Sequence, residues 1–246
     1  GNLEGSVQHN MIEPMMDYEQ AITNRTEQGI QVKKEDQRIE YDFWIDWQQM
    51  IYEGDPKNEE MYAGLTFRFN PIMNDKSKLS LNGQSLTVHK AGEIDSSITP
   101  NQMVYNYAFG LEFNHKFNEN TELFLSAHAA YLHDHSNFQS YGFKSGLGQL
   151  AVLRLRLHEY QIILNYWDAY RFQSPYGERL YFSIGRKNPM RPYNYRKMAG
   201  LRIANELHVA KNLTFLSRVG LNYNFDFQKA DVVMENYLRW HFTNTA

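Results

Sequence analysis

The chain of 246 residues contains no cysteine, which excludes a disulfide framework, thiolate metal sites and a cysteine nucleophile. It also lacks any run near the roughly 20 apolar residues that a membrane-crossing helix needs, so a helical transmembrane bundle is excluded. A surplus of positive charge is missing too. With 25 Lys and Arg against 28 Asp and Glu, the formal net charge is -3, and no electrostatic case for a nucleic-acid partner follows. No charged start followed by an apolar stretch opens the chain, which predicts that any leader has already been removed. Phosphate loops, dinucleotide fingerprints and nucleophile elbows are absent as well. Aromatic rings are abundant: 17 Tyr, 15 Phe and 4 Trp make up 15% of the residues, too many for a disordered chain.

These rings fall into alternating runs. Side chains on a strand point to opposite faces, so alternation marks a strand between two different environments. Leu213, Phe215, Val219, Leu221, Tyr223, Phe225 and Phe227 oppose Thr214, Arg218, Gly220, Asn222, Asn224 and Asp226. Tyr105, Tyr107, Phe109, Leu111 and Phe113 oppose Asn106, Ala108, Gly110, Glu112 and Asn114. Similar runs start near Ile39, Met61, Leu123, Leu153, Leu201 and Val232, with weaker candidates near 77–89, 160–172 and 178–187. About eleven strands result, which even-numbered bacterial barrels would round to ten or twelve. Many exceed the about 5–6 residues of an ordinary strand and reach the about 9–11 that a tilted spanning strand needs. Short polar connectors such as Asn118-Glu119-Asn120 and Ala210-Lys211-Asn212 suit hairpins. Counted back from the C-terminus, however, these two turns do not fall on the same side.

An alternating meander can bury its apolar face, as in a soluble barrel, or turn it to lipid around a polar lumen. Strand length, aromatics near strand ends and a charged polar face favour the second arrangement. Over residues 36–242 the chain resembles the bacterial outer-membrane β-barrel class. Tyr237-Leu238-Arg239-Trp240-His241-Phe242 is similar to that class's C-terminal strand, although Thr243 to Ala246 follow the final aromatic. The resemblance implies an all-β fold: a closed antiparallel up-and-down transmembrane β-barrel of about 10–12 strands in the bacterial outer membrane. Its surroundings would be membrane lipid and lipopolysaccharide, with other outer-membrane proteins as further partners and no cofactor.

The expected organisation is an N-terminal segment, 1–35, and a barrel domain, 36–246. Pro14, Met15, Tyr18 and Ile22 suit one short amphipathic helix that plugs the lumen, lies on the membrane surface or docks a partner, the alternative being a frayed tail. The polar face would line the lumen with Arg68, Glu112, Arg154, Arg156, Arg179, Arg202, Glu206, Arg218 and Arg239. Such a row of charges can guide small solutes or ions through a narrow pore, or can pair and fill the interior. The expected function is therefore a narrow pore, with a non-catalytic subunit of a larger outer-membrane assembly as the alternative.

Catalysis is the third reading. His133, His135 and Ser136 lie together, and His135-Ser136-Asn137 is similar in part to outer-membrane lipid hydrolases, which carry His and Ser two positions apart. Adjacent strand positions point to opposite faces, so a direct relay between His135 and Ser136 needs a loop. His133 and His135 share a face opposite His128, and two ligands do not define a metal site.

Overall fold

The computed structural model describes residues 1–3, 9–17, 27–91, 100–136, 142–184, 193–210 and 212–240. Eleven strands follow one another: β1 (Gly29–Lys34), β2 (Ile39–Gln49), β3 (Glu59–Met73), β4 (Ser77–Ala91), β5 (Gln102–Asn118), β6 (Thr121–Asp134), β7 (Ser145–Leu157), β8 (Tyr160–Tyr170), β9 (Tyr195–Ala210), β10 (Leu213–Asn224) and β11 (Lys229–Trp240). Each pairs antiparallel with its chain neighbours in a single eleven-stranded sheet. Among the described residues no ladder joins β11 to β1. The weak strand candidate at 178–187 differs: Arg179–Tyr181 form a 3-10 turn, capped by the Glu178 carboxylate on Leu180 N, and 185–192 lie outside the described residues. The first strand, Gly29–Lys34, falls within the segment separated off as 1–35, with Ile30 and Val32 alternating against Gln31 and Lys33.

The sidedness problem resolves once the 178–187 candidate leaves the strand count, since β8 then pairs directly with β9. The strand ends flanking 35–38, 74–76, 119–120, 158–159 and 211–212 all fall on one rim, which we call the short-turn rim. The strand ends flanking 50–58, 92–101, 135–144, 171–194 and 225–228 fall on the other, which we call the long-loop rim.

The sheet buries its polar face. Asp42, Thr66, Asn70, Ser80, Asn82, Gln84, Asn106 and Asn222 are buried, whereas Phe109 (69%), Val232 (71%), Met234 (69%) and Leu238 (67%) stand exposed on the other face. The sheet must curl to bury that face. Ile12 N donates to Gln84 Oε1 on β4, while the next residue, Glu13, bonds Arg202 on β9. Flat, five strand spacings would separate β4 from β9 by about 24 Å. Gln84 and Arg202, leaving the same face, reach adjacent residues of one strap only if the sheet wraps around it.

That strap, residues 9–17, lies inside with the segment 171–184. Met11, Met15 and Met16 pack with Trp44, Leu86, Val88, Val104, Leu132, Trp167, Phe172 and Tyr181 in one core. The expected helix after Pro14 does not form within the described residues: Met15 N and Met16 N both donate to Ile12 O, and Met16 then bridges Tyr176. Tyr18 and Ile22 lie outside the described residues. Asp17 N donates to Tyr176 O, Glu178 N to Glu13 O, and Ser174 Oγ to Met15 O. The strap and the 171–184 segment thus satisfy each other's backbone where no strand is available.

Two tryptophans occupy inward positions because the neighbouring strand offers glycine. An added Cβ at Gly64 would lie 2.1 Å from the Trp44 ring, and one at Gly148 would lie 2.2 Å from that of Trp167. Trp167 is further fixed by Nε1 donating to Tyr181 O at 2.9 Å. Gly148→Val should therefore overpack the interior and lower unfolding stability by about 1–3 kcal/mol. Outward-facing Gly83 provides the control, since a Cβ there would meet Phe109 at an ordinary 3.6 Å. Urea midpoints of the two valine variants test this, and equal midpoints would contradict it.

Candidate functional site

Ionisable groups tie the strap to the wall. His9 is fully buried, with Nδ1 at 2.8 Å from Asp42 Oδ2 and Nε2 at 2.8 Å from Glu27 Oε2. Its ring stacks on Trp44 with centroids 3.7 Å apart. Burial pulls the imidazolium down, but the hydrogen bonds and charges of Asp42 and Glu27 outweigh it and raise His9 above its ordinary 6.5. A raised imidazole contributes stability that is complete below the unfolded value and lost as pH rises through the folded one. Protection of the strap from protease should thus weaken as pH climbs above 6.5, and His9→Gln should flatten that dependence. An unchanged pH profile in His9→Gln would remove His9 as its cause.

Four residues on, Arg202 grips both carboxylate oxygens of Glu13, at 2.7 and 2.8 Å. The Tyr181 hydroxyl donates to Glu13 Oε2 at 2.7 Å and accepts from Asn165 Nδ2 at 3.1 Å. Burial pushes the Glu13 carboxyl up, but the Arg202 charge and these hydrogen bonds hold it below its ordinary range. The Tyr181 hydroxyl is raised by burial and the Glu13 charge, so it remains a donor. Burial and the nearby Asp17 carboxylate push Glu178 up. A bidentate guanidinium–carboxylate pair is among the stronger polar contacts a protein makes.

The expected lumen residues divide by position. Toward the short-turn rim Arg68 bridges Glu40 and Glu112, both at 3.0 Å, and Lys78 joins Glu40 at 2.8 Å. Arg156 pairs with Glu122 at 2.6 Å, Arg218 with Glu235 at 3.4 Å, and Arg154 lies over the Phe124 ring. Arg202 holds the strap. Glu206 is half-buried near the end of β9, and Arg239 is exposed on β11. Arg179 sits exposed on the 3-10 turn rather than on a strand. Paired charge thus occupies the interior at one end, around a cavity of about 270 Å³ bordered by Asn10, Lys33, Glu40, Asp42, Arg68 and Asn82, and the strap and core occupy the other. A narrow path for free solute, expected from the charged row, finds no support.

Of the histidines singled out earlier, His128 points inward beside Gly110, 3.6 Å from Glu112 Oε1, with neither ring nitrogen hydrogen-bonded. His133 points outward at the long-loop end of β6. It stacks on Tyr105, Tyr131 and His135, the last at 5.9 Å between centroids. Ser136 Oγ accepts from Met103 N at 2.9 Å, and Ser136 N donates to Asp134 Oδ1. The two imidazoles are therefore together, while the serine hydroxyl is engaged with backbone rather than with either ring. A separate Ser–His contact joins Ser77 Oγ and His115 Nδ1 at 2.8 Å on the outward face near the short-turn rim. Sequence reasoning had no signal for it, since the pair is 38 residues apart. No group of three His, Asp or Glu residues suited to a metal occurs among the described residues.

A meander with a polar interior, an apolar exterior and an internal strap defines an all-β, barrel-like class in which the wall faces the surroundings with its greasy side. Within that class the family is shown by sequence. The chain belongs to the Lipid A 3'-O-deacylase-type family, whose model matches residues 1–244. A search of curated proteins returns no match.

Proposed function

We propose that the protein is an outer-membrane enzyme that hydrolyses an acyl ester of lipid A or of a closely related phosphoglycolipid. The observation that carries this reading is the inverted burial of the wall, polar inside and apolar outside, in a chain of a lipid-deacylase family. Exposed apolar area on this scale is stable in hydrocarbon, not in water. In hydrocarbon an open sheet edge is untenable, so the reading requires closure at the β1–β11 seam. In outer-membrane barrels the short turns face the periplasm and the long loops face outward, which sets the long-loop rim at the outer leaflet.

Two imidazoles on one outward face suit acid–base hydrolysis there. His133 takes a proton from water, the hydroxide adds to the ester carbonyl, and the tetrahedral adduct expels the sugar oxygen. That oxygen takes its proton from the second imidazole, His135, releasing fatty acid and a free sugar hydroxyl. The test is to incubate purified protein, shown to be folded by a heat-dependent gel shift, with hexa-acylated lipid A and follow its mass. Loss of one acyl chain is expected. Unaltered lipid A across detergents and added divalent cations would overturn the reading.

A further inference from the structure

The outward face of β5–β9 carries a polar interruption that neither packing nor the proposed chemistry uses. In register across three strands stand Gln149, Asp168 and Lys197, with Asp168 Oδ2 and Lys197 Nζ 3.4 Å apart. The row continues onto Ala129 and Phe109, which are apolar. Toward the long-loop rim the next outward row includes Tyr131, Tyr170 and Tyr195, the last two with ring centroids 5.1 Å apart. Toward the short-turn rim it includes Tyr166 and the small residues Ala127 and Ala151, which face each other across β6 and β7. These alanines floor a groove of about 460 Å³ walled by Leu111, Leu125, Leu153 and Leu164.

We propose that this wall is a docking site for a phosphorylated glycolipid, with the phosphate on Lys197, sugar hydroxyls on Asp168 and Gln149, and one acyl chain in the alanine-floored groove. The inference rests on the outer-membrane deacylase reading and specifies where its substrate is held. Asp168 and Lys197 each lie two residues from the long-loop end of their strand, about 7 Å along it, a head-group depth where charge on a lipid face is tolerated. One carboxylate contact leaves two of the three ammonium protons free for an anion. A carboxylate and an amide side by side offer the acceptor and donor pattern of sugar hydroxyls, while the tyrosines above present rings to a sugar face. A glycerophospholipid would use the lysine and the groove but has no sugar ring to lay against the tyrosines.

The experiment is native mass spectrometry of the folded protein in detergent, in the cold, with bis-phosphorylated hexa-acyl lipid A, its dephosphorylated form and phosphatidylglycerol. Wild type should retain the bis-phosphorylated lipid A best. Lys197→Ala should weaken retention about tenfold, Ala151→Phe should weaken it similarly by filling the groove, and Lys197→Arg should keep it. Equal retention by wild type and both disruptive variants would overturn the site, as would phosphatidylglycerol bound as well as lipid A. Binding is read without turnover. Retained lipid A with no hydrolysis would remove the enzyme reading alone, and hydrolysis with binding unmoved by Lys197→Ala and Ala151→Phe would remove this site alone.

Discussion

Glu13→Ala is expected to release the strap from the interior and to cost about 3–5 kcal/mol, because it strands the Arg202 guanidinium inside without its partner. Arg202 has a side-chain exposure of 14% and gives both of its terminal nitrogens to Glu13. The Tyr181 hydroxyl would lose its acceptor in the same step. With the tie broken, residues 9–17 should become cleavable by added protease, and the urea midpoint should fall. A second substitution separates an orphaned charge from a lost contact. Arg202→Ala in the Glu13→Ala background should recover part of the stability, giving a coupling of about 2 kcal/mol in a double-mutant cycle. Wild type should be silent in a planar bilayer, and Glu13→Ala should conduct if the strap is what fills the passage. The same midpoint and protease resistance as wild type would show that this ion pair does not hold the strap.

The outcome turns on residues that local pattern could not pair. Glu13 and Arg202 are 189 positions apart, and His9 and Asp42 are 33 apart. Alternation reports which face a residue takes on its own strand, and it did so for Tyr107, Phe109, Leu221 and Tyr223, all outward between inward-facing neighbours. It also named Arg68, Glu112, Arg156 and Arg202 as inward charges, because a charge in an alternating run declares its face. It cannot report what enters the lumen from outside the strands. Residues 9–17 carry no strand period: Met15 is legible only through a helical stripe that does not form within the described residues, and the buried His9 has no signal. Trp44 and Trp167 show the same limit from the other side: both are apolar rings on the polar face, legible only once Gly64 and Gly148 are known to lie beside them. Arg179 was misplaced because Leu180, Phe182 and Ile184 alternate with Arg179, Tyr181 and Ser183 and so imitate a strand. Its backbone instead turns at Arg179–Tyr181, where Tyr181 is needed beneath Glu13.

His133→Ala should lower acyl release from lipid A by about 10²–10⁴-fold with little change in KM, the loss expected when a positioned base is removed and substrate contacts stay. His133 stands at the long-loop end of β6, with the Tyr105 and Tyr131 rings beside it at 6.4 Å between centroids. His135→Ala should lose the limb of the pH–rate profile that reports the general acid. Ser136 decides what attacks. Its Oγ accepts from Met103 N, and no described contact links it to an imidazole, so the proposed mechanism takes water as the nucleophile. Ser136→Ala should then retain turnover within about threefold, well short of the 10² expected for a lost nucleophile. A loss in Ser136→Ala matching that of His133→Ala, with acyl-enzyme trapped on Ser136 of the wild type, would instead mean that the rim rearranges on binding lipid to bring Ser136 and a histidine together. Full activity in His133→Ala and His135→Ala would move the chemistry inward, to His128, whose free ring nitrogens lie 3.6 Å or more from the Glu112 carboxylate. Lipid could reach that position only through an opened wall, so the same experiment measures whether the sheet must part for catalysis.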